Sequence, residues 1–463
     1  MKKITLIAAV VCCQLATAQT NPIITKWLQN TTNFGRYYTA ATGSTPIGMS
    51  LLANCQKVQY DATYVYVTTR GIPSYPTGIF TGDGNTNLAG DQNAMYRFPL
   101  IPTQNTGTAT ATNAGNCGVF INGVSLFDYR DGVAYNATAT NGICGGPPPN
   151  AMCPGGPGTT QAWNRDAIPA EKLGFDCAKG HPAGTNYHHH QNPSAFKYDN
   201  TTSTSYSPIC TLYDSEGLYT INPNEHSPLI GFAYDGFPIY GAYGYANTNG
   251  TGPITRMKSS YQLRTNTTRV NGPAINQVIG TQTFFNGYFK EDYEYVAHPS
   301  DPTYLDVHNG RICNTPEYPV SLYPNGIYCY FATVDANNTS VYPYVVGPTY
   351  YGNKVATKFG TSTTTVNGTT LYSAPLTNTD FEKKNITIYP NPAQDYITIQ
   401  ADFVENDLKV EVINELGQVV ETSKILQGST LTVIETDTLY NGIYFVKISG
   451  DKDAKSFKII INK

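Results

Sequence analysis

From residue 386 onward the chain alternates apolar and polar positions in short runs: ITIY (386–389), YITI (396–399), LKVEVI (408–413), LTVI (431–434), IYFVKI (443–448) and FKIII (457–461). Successive side chains on a strand point to opposite faces, so each run can bury one face and wet the other. Pro390, Pro392, Gly417 and Gly442 fall between the runs as turn signals. Short strands at this spacing predict a small C-terminal β-sandwich over residues 385–463. Residues 374–384 before it are polar and read as a linker. Residues 19–373 also carry strand patterning, with no sustained helical period, and residues 58–68 (VQYDATYVYVT) are dense in Tyr and Val. Two stretches echo one another, GVFINGVSLF at 118–127 and GFAYDGFPIY at 231–240. Asn-Gly and Asp-Gly tolerate positive φ at both turn positions, so each stretch predicts a tight hairpin. The echo is either a duplicated hairpin, with a histidine-rich segment between the copies, or a recurrence of hairpin grammar. The expected fold is mainly β: one large Tyr-rich domain with disulfides, core about 51–352, and the small sandwich.

Composition narrows the setting. Lys2 and Lys3 precede an apolar run from Ile4 to Ala16, and Ala16-Thr17-Ala18 supplies small residues for cleavage. Residues 1–18 therefore predict a signal peptide. No other stretch approaches the length of a spanning helix, so no transmembrane segment is expected. The 29 basic and 33 acidic side chains include no basic run, which argues against nucleic acid as a partner. Charged residues are sparse at 13 %, and Gly (42), Tyr (36) and Pro (30) are abundant, a composition suited to a β-rich extracellular protein. Beyond the leader lie Cys55, Cys117, Cys144, Cys153, Cys177, Cys210, Cys313 and Cys329. An even number in an exported chain favours disulfides, with Cys144–Cys153 and Cys313–Cys329 as the local pairings expected.

All 7 histidines lie between residues 181 and 308, three of them adjacent at 188–190. On an extended segment His188 and His190 share a face, with Tyr187 and His189 on the other. Two imidazoles at i and i+2 form half of a metal site, which needs one or two more His or carboxylate ligands. His181 and His308 are the candidates to complete it, and imidazole ligands favour Cu or Zn over Ca or Mg. The alternative is an exposed triplet, or histidines that tie down buried carbonyls. His226 and His298, each close to a proline, read as loop residues. His189 is expected to be dispensable.

Two resemblances add to this reading. YPNPA (389–393), NELGQVV (414–420), GIYFVK (442–447) and KIIINK (458–463) resemble the type A sorting domain of the type IX secretion system. That resemblance implies a cargo of the type IX machinery, recognised through residues 385–463 and either released or held at the outer cell surface. GHP (180–182) with NYHHH (186–190), LIGFAYDGFPIYG (229–241), LDVHNGR (305–311), TPEYP (315–319) and YPYVVG (342–347) resemble the bacterial YHYH domain family. Its name-giving tetrapeptide falls on Tyr187, His188, His189 and His190, with His189 standing where the second tyrosine is expected. The resemblance implies a domain and a site, without a reaction.

Asp235, Asp306, Arg311 and Glu317 in these motifs are polar residues that could complete a pocket. Asp235 also suits a hairpin turn, and Arg311 a structural bridge to Asp306 or Glu317. Three functions remain in play. The first is a secreted metal-binding protein with ligands from His188, His190, His308 and His181, and Arg311, Glu317 or Asp306 handling charge or protons if it is catalytic. The second is a metal-free surface binding module or adhesin. The third is a secreted hydrolase, although no G-x-S-x-G, HExxH or Ser/His/Asp ordering is present.

Overall fold

A computed structural model describes the chain except for residues 1–20, 40, 42–44, 81–86, 147–149, 155–160, 194–222, 266–267, 356–357, 373–385, 402–406, 427 and 451–453. The expected signal peptide, the linker and Cys210 lie outside the described residues. The chain divides into two compact units, Met1–Ser373 and Ala374–Lys463.

In the C-terminal unit the alternating runs form two antiparallel sheets. One orders Ile386–Tyr389, Tyr396–Ala401 and Leu431–Glu435; the other orders Val419–Ile425, Leu408–Asn414, Gly442–Ser449 and Ala454–Ile461. Their inward residues, among them Ile397, Ile399, Val410, Val412, Val446 and Ile459, form one core, as period-two burial requires.

The larger unit is built on an eight-stranded sheet. At its centre lie the two echoing stretches, each a hairpin: Asn116–Phe120 with Ser125–Phe127, and Leu229–Ala233 with Pro238–Tyr240. Their first strands pair antiparallel, with Gly118 opposite Ala233, Val119 opposite Phe232 and Phe120 opposite Gly231. The close approach excludes side chains at both glycines: a Cβ on Gly118 would lie 2.9 Å from the Phe232 carbonyl oxygen, and one on Gly231 2.7 Å from that of Val119.

The repetition runs outward from this twofold centre. Ser125–Phe127 pairs in parallel with Asn186–His189, which pairs antiparallel with His181–Ala183. On the other side Pro238–Tyr240 pairs in parallel with Ile327–Phe331, which pairs antiparallel with Gly310–Cys313. The turn ahead of each outermost strand is the same object. Asp176 receives the amides of Ala178 and Gly180 and the hydroxyl of Tyr187. Asp306 receives the amides of His308 and Gly310 and the hydroxyl of Tyr328. Lys179 (φ 64°) and Asn309 (φ 66°) are both left-handed. Register therefore matches His181 to Arg311, and Tyr187, His188, His189 and His190 to Tyr328, Cys329, Tyr330 and Phe331. The echo is one half of a twofold repeat, and each half carries its own tyrosine-led tetrapeptide.

A five-stranded sheet, ordered Lys358–Gly360, Ala94–Pro99, Tyr64–Thr69, Cys55–Tyr60 and Thr370–Tyr372, shares the main core with the eight-stranded one. Trp27 joins the sheets, its ring 5.4 Å from Phe98 and 5.3 Å from Phe232. Cys144 and Cys153 form the expected disulfide, and Cys177 is disulfide-bonded as well. The expected Cys313–Cys329 bond is absent, and both are buried free thiols. The ladder sets Arg311 opposite Cys329 and Cys313 opposite Ile327, so the two cysteines are diagonal neighbours and not a directly opposed pair, and their side chains meet as thiols.

Candidate metal centre

The first repeat carries the histidines on rigid backbone. His181 opposes His188 directly across the antiparallel pair, and His190 follows two residues on, so the three imidazoles meet on one face. Their ligand-capable nitrogens lie within 4.8 Å of one another, and all three residues are buried.

Hydrogen bonds fix which ring nitrogens face inward. His188 Nδ1 lies 2.9 Å from the Asn186 carbonyl oxygen, and His190 Nδ1 contacts the Asp128 carbonyl oxygen. A carbonyl only accepts, so both Nδ1 atoms carry the proton, and a neutral ring then presents a bare Nε2. The Nε2 atoms of His188 and His190 are 3.0 Å apart. Two lone pairs at that distance repel unless a cation, either a proton or a metal ion, sits between them. Metal-bound histidines commonly show the same anchoring of the second nitrogen on a carbonyl.

Glu171 completes the cluster. It ends the short helix Ala167–Glu171, which is capped by Asp166 through the Ile168 amide. Its Oε2 lies 3.3 Å from His181 Nε2 and 3.1 Å from His190 Nε2 and is withdrawn from solvent. Ligands ~2.1 Å from a tetrahedral zinc are ~3.4 Å apart, so these separations suit donors around one ion. The three imidazoles could hold a metal ion, with the Glu171 carboxylate beside two of them.

Electrostatics follows the same geometry. Burial pushes the His188 pKa well below the usual range, and the neighbouring His190 and His181 push it further. Burial would lower His190 too, but the hydrogen bond and charge of Glu171 outweigh it, and the pKa is raised. Burial would raise Glu171, yet the adjoining imidazoles of His181 and His190 hold its carboxyl below the ordinary range. Phe127 stacks on His188 with ring centroids 3.8 Å apart, which fixes the ring plane.

His308 is not in this cluster. It stands in the turn of the second repeat, at the position of Ala178 in the first, and its Nδ1 lies 2.8 Å from Thr349 Oγ1. Asp306, Arg311 and Glu317 also belong to the second repeat. Asp306 binds its own turn and Tyr328. Arg311 occupies the place of His181 and donates to the carbonyls of Tyr245, Ala246 and Pro302, so it bridges neither Asp306 nor Glu317. Glu317 accepts from the Tyr240 hydroxyl at 3.0 Å and pairs with Lys26 at 3.5 Å. Asp235 serves its hairpin turn, as its sequence context suggests, and also receives the Tyr330 hydroxyl at 2.6 Å.

His189 is no bystander. It is fully buried, with Nε2 3.0 Å from the Tyr75 hydroxyl and Nδ1 3.0 Å from the Lys179 carbonyl oxygen. Tyr330, its counterpart, reaches the turn residue Asp235 with its own hydroxyl. Where the shorter His189 stands, Tyr75 supplies a hydroxyl to its Nε2, beside Asn122, the matching turn residue. Glu171 was not singled out by its sequence: a lone Glu ten residues before His181 has no periodic or motif signal, although a carboxylate ligand was among those needed.

Comparison with known proteins agrees with both resemblances. The family described as YHYH protein matches residues 95–343, and the secretion system C-terminal sorting domain matches residues 387–462. No curated protein matches the chain significantly. Among the described residues no helix is long and apolar enough to cross a membrane.

Proposed function

This chain belongs to the YHYH protein family and ends in a secretion sorting domain; from that premise we propose that it is an exported protein whose first repeat binds a transition metal ion, copper or zinc. His181, His188 and His190 are the ligands. The observation that carries the reading is the 3.0 Å approach of the His188 and His190 Nε2 atoms, with both Nδ1 atoms committed to carbonyls. A bound ion would supply a Lewis acid in a site that excludes water. The chain's own part is to hold three neutral imidazoles on one sheet face and balance the ion's charge with a carboxylate. The sorting domain supports delivery by the type IX machinery, with the product released or kept at the cell surface.

Elemental analysis of the purified chain tests this. Near-stoichiometric copper or zinc is expected, and it should be lost from the His188→Ala/His190→Ala variant. Equal metal content in the two proteins would overturn the assignment.

A further inference from the structure

Four donors converge in the first repeat, but they are not held alike. His181, His188 and His190 stand in or beside hydrogen-bonded strands of the eight-stranded sheet. Glu171 ends a five-residue helix that runs into a single 3₁₀ turn, Lys172–Gly174, and belongs to no sheet. Exposure divides the four in the same way. The side chains of His181 and His190 are 5 % and 2 % exposed, and that of Glu171 is 20 %; His188 is 1 % exposed. Phe127 packs against His188 and Phe175 against His181 and His190, while the nearby carboxylates Asp128 and Asp131 are already paired with Arg130 and Arg165.

We infer that Glu171 is the exchangeable arm of this site: it closes the metal's coordination on the solvent side, and a small monoanion takes its place when it swings out. The inference rests on the metal reading above. Sites with four protein ligands are closed and structural, whereas three protein ligands and one replaceable position make a metal reactive. Here the replaceable position is the one ligand outside the sheet. Charge sets the class of the incoming ligand. Three neutral imidazoles leave a buried divalent ion uncompensated once Glu171 departs, and a buried unpaired charge is strongly disfavoured. A monoanion of carboxylate size or smaller, such as formate, azide or hydroxide, restores the balance.

The test uses the full chain loaded with Co(II), whose visible bands report ligand geometry, with azide and formate as probes. Wild type should bind one equivalent and respond to azide only at high concentration. Glu171→Ala should keep one equivalent on its three histidines, bind azide at least tenfold more tightly, and release Co(II) to chelator at least tenfold faster. Glu171→Gln, which keeps the shape of the side chain without its charge, should fall between them in both measurements. A loaded Glu171→Ala protein with wild-type azide affinity and release rate would overturn the inference, because Glu171 would then not cover the ion. A folded Glu171→Ala or Glu171→Gln protein that no longer holds Co(II) would also overturn it, because Glu171 would be a required ligand instead of an exchangeable one. Failure of wild type itself to bind Co(II), Zn(II) or Cu(II) refutes the metal reading, a result distinct from both.

Discussion

Replacing Tyr187 or Tyr328 by Phe separates what the two repeats share from what only one of them does. Each hydroxyl reaches an aspartate inside a buried turn: Tyr187 to Asp176 at 2.9 Å, Tyr328 to Asp306 at 2.7 Å. Either substitution removes one donor from a carboxyl that keeps its backbone donors, Gly78, Ala178 and Gly180 for Asp176 and His308 and Gly310 for Asp306. Above the Asp176 pKa of about 7, a hydrogen bond to a charged group contributes ~1.5–3 kcal/mol, so at pH 8 the two single variants should lose similar amounts. For a unit of roughly 350 residues, ~2 kcal/mol lowers the melting temperature by ~3 °C. The sites share no partner, so the double variant should lose the sum to within ~0.5 kcal/mol. Metal affinity should divide them. The Asp176 turn delivers His181, and loosening support behind a ligand lowers affinity ~10–100-fold; the Asp306 turn delivers Arg311, and Tyr328→Phe should leave affinity unchanged. Urea unfolding and competition titration with a zinc-sensitive dye measure the two quantities. Equal loss of affinity in both variants would refute the assignment of the site to one repeat, and no loss of stability in either would refute the shared turn.

Two further outcomes are expected. His189→Ala should lower stability by ~2–4 kcal/mol, because it opens a buried void and leaves the Tyr75 hydroxyl without its imidazole partner; metal stoichiometry should hold, and a urea midpoint unchanged from wild type would contradict this. Stability of the metal-free protein should fall as pH rises from 6.5 to 7.5. Burial lifts Asp166 and Asp176 to about 7 and Asp235 to about 6, above an unfolded value near ~3.9. The folded state then keeps protons that the unfolded chain has released, so this stabilisation is complete below the unfolded pKa and is lost as pH climbs through the folded one. His188 and His189, held low chiefly by burial, act with the opposite sign, an effect that fades as pH rises past their unfolded pKa of ~6.5, while His190, whose pKa is raised, adds to the loss. The loss should be on the order of 1 kcal/mol, and a urea midpoint that is flat or rising over that interval would contradict it.

Much of this molecule is legible in its residues, for uneven reasons. The sandwich follows from alternation alone, since Leu408, Val410 and Val412 have to share a face. The pairing of His188 with His190 follows from strand geometry. His308 drew attention as one of the few histidines that could complete a pair, but its stretch LDVHNGR is the second copy of FDCAKGH (175–181). Aligned as repeats, the two put Arg311 opposite His181, and His308 opposite an alanine. Glu171 stayed hidden because its place depends on how a short helix lies against a sheet, which no local pattern encodes. The cysteine pairing failed on register, which a spacing along the chain does not report.

The two repeats also form a control experiment within a single chain. Arg311, Cys329 and Phe331 occupy the positions of His181, His188 and His190, and the second half still builds the same turn, the same pair of outer strands and the same tyrosine–aspartate lock. The scaffold can therefore fold around this face without imidazoles on it. On the proposed reading, the histidines of the first half serve a metal ion, and changes to that site can proceed in one copy while the other keeps the sheet intact.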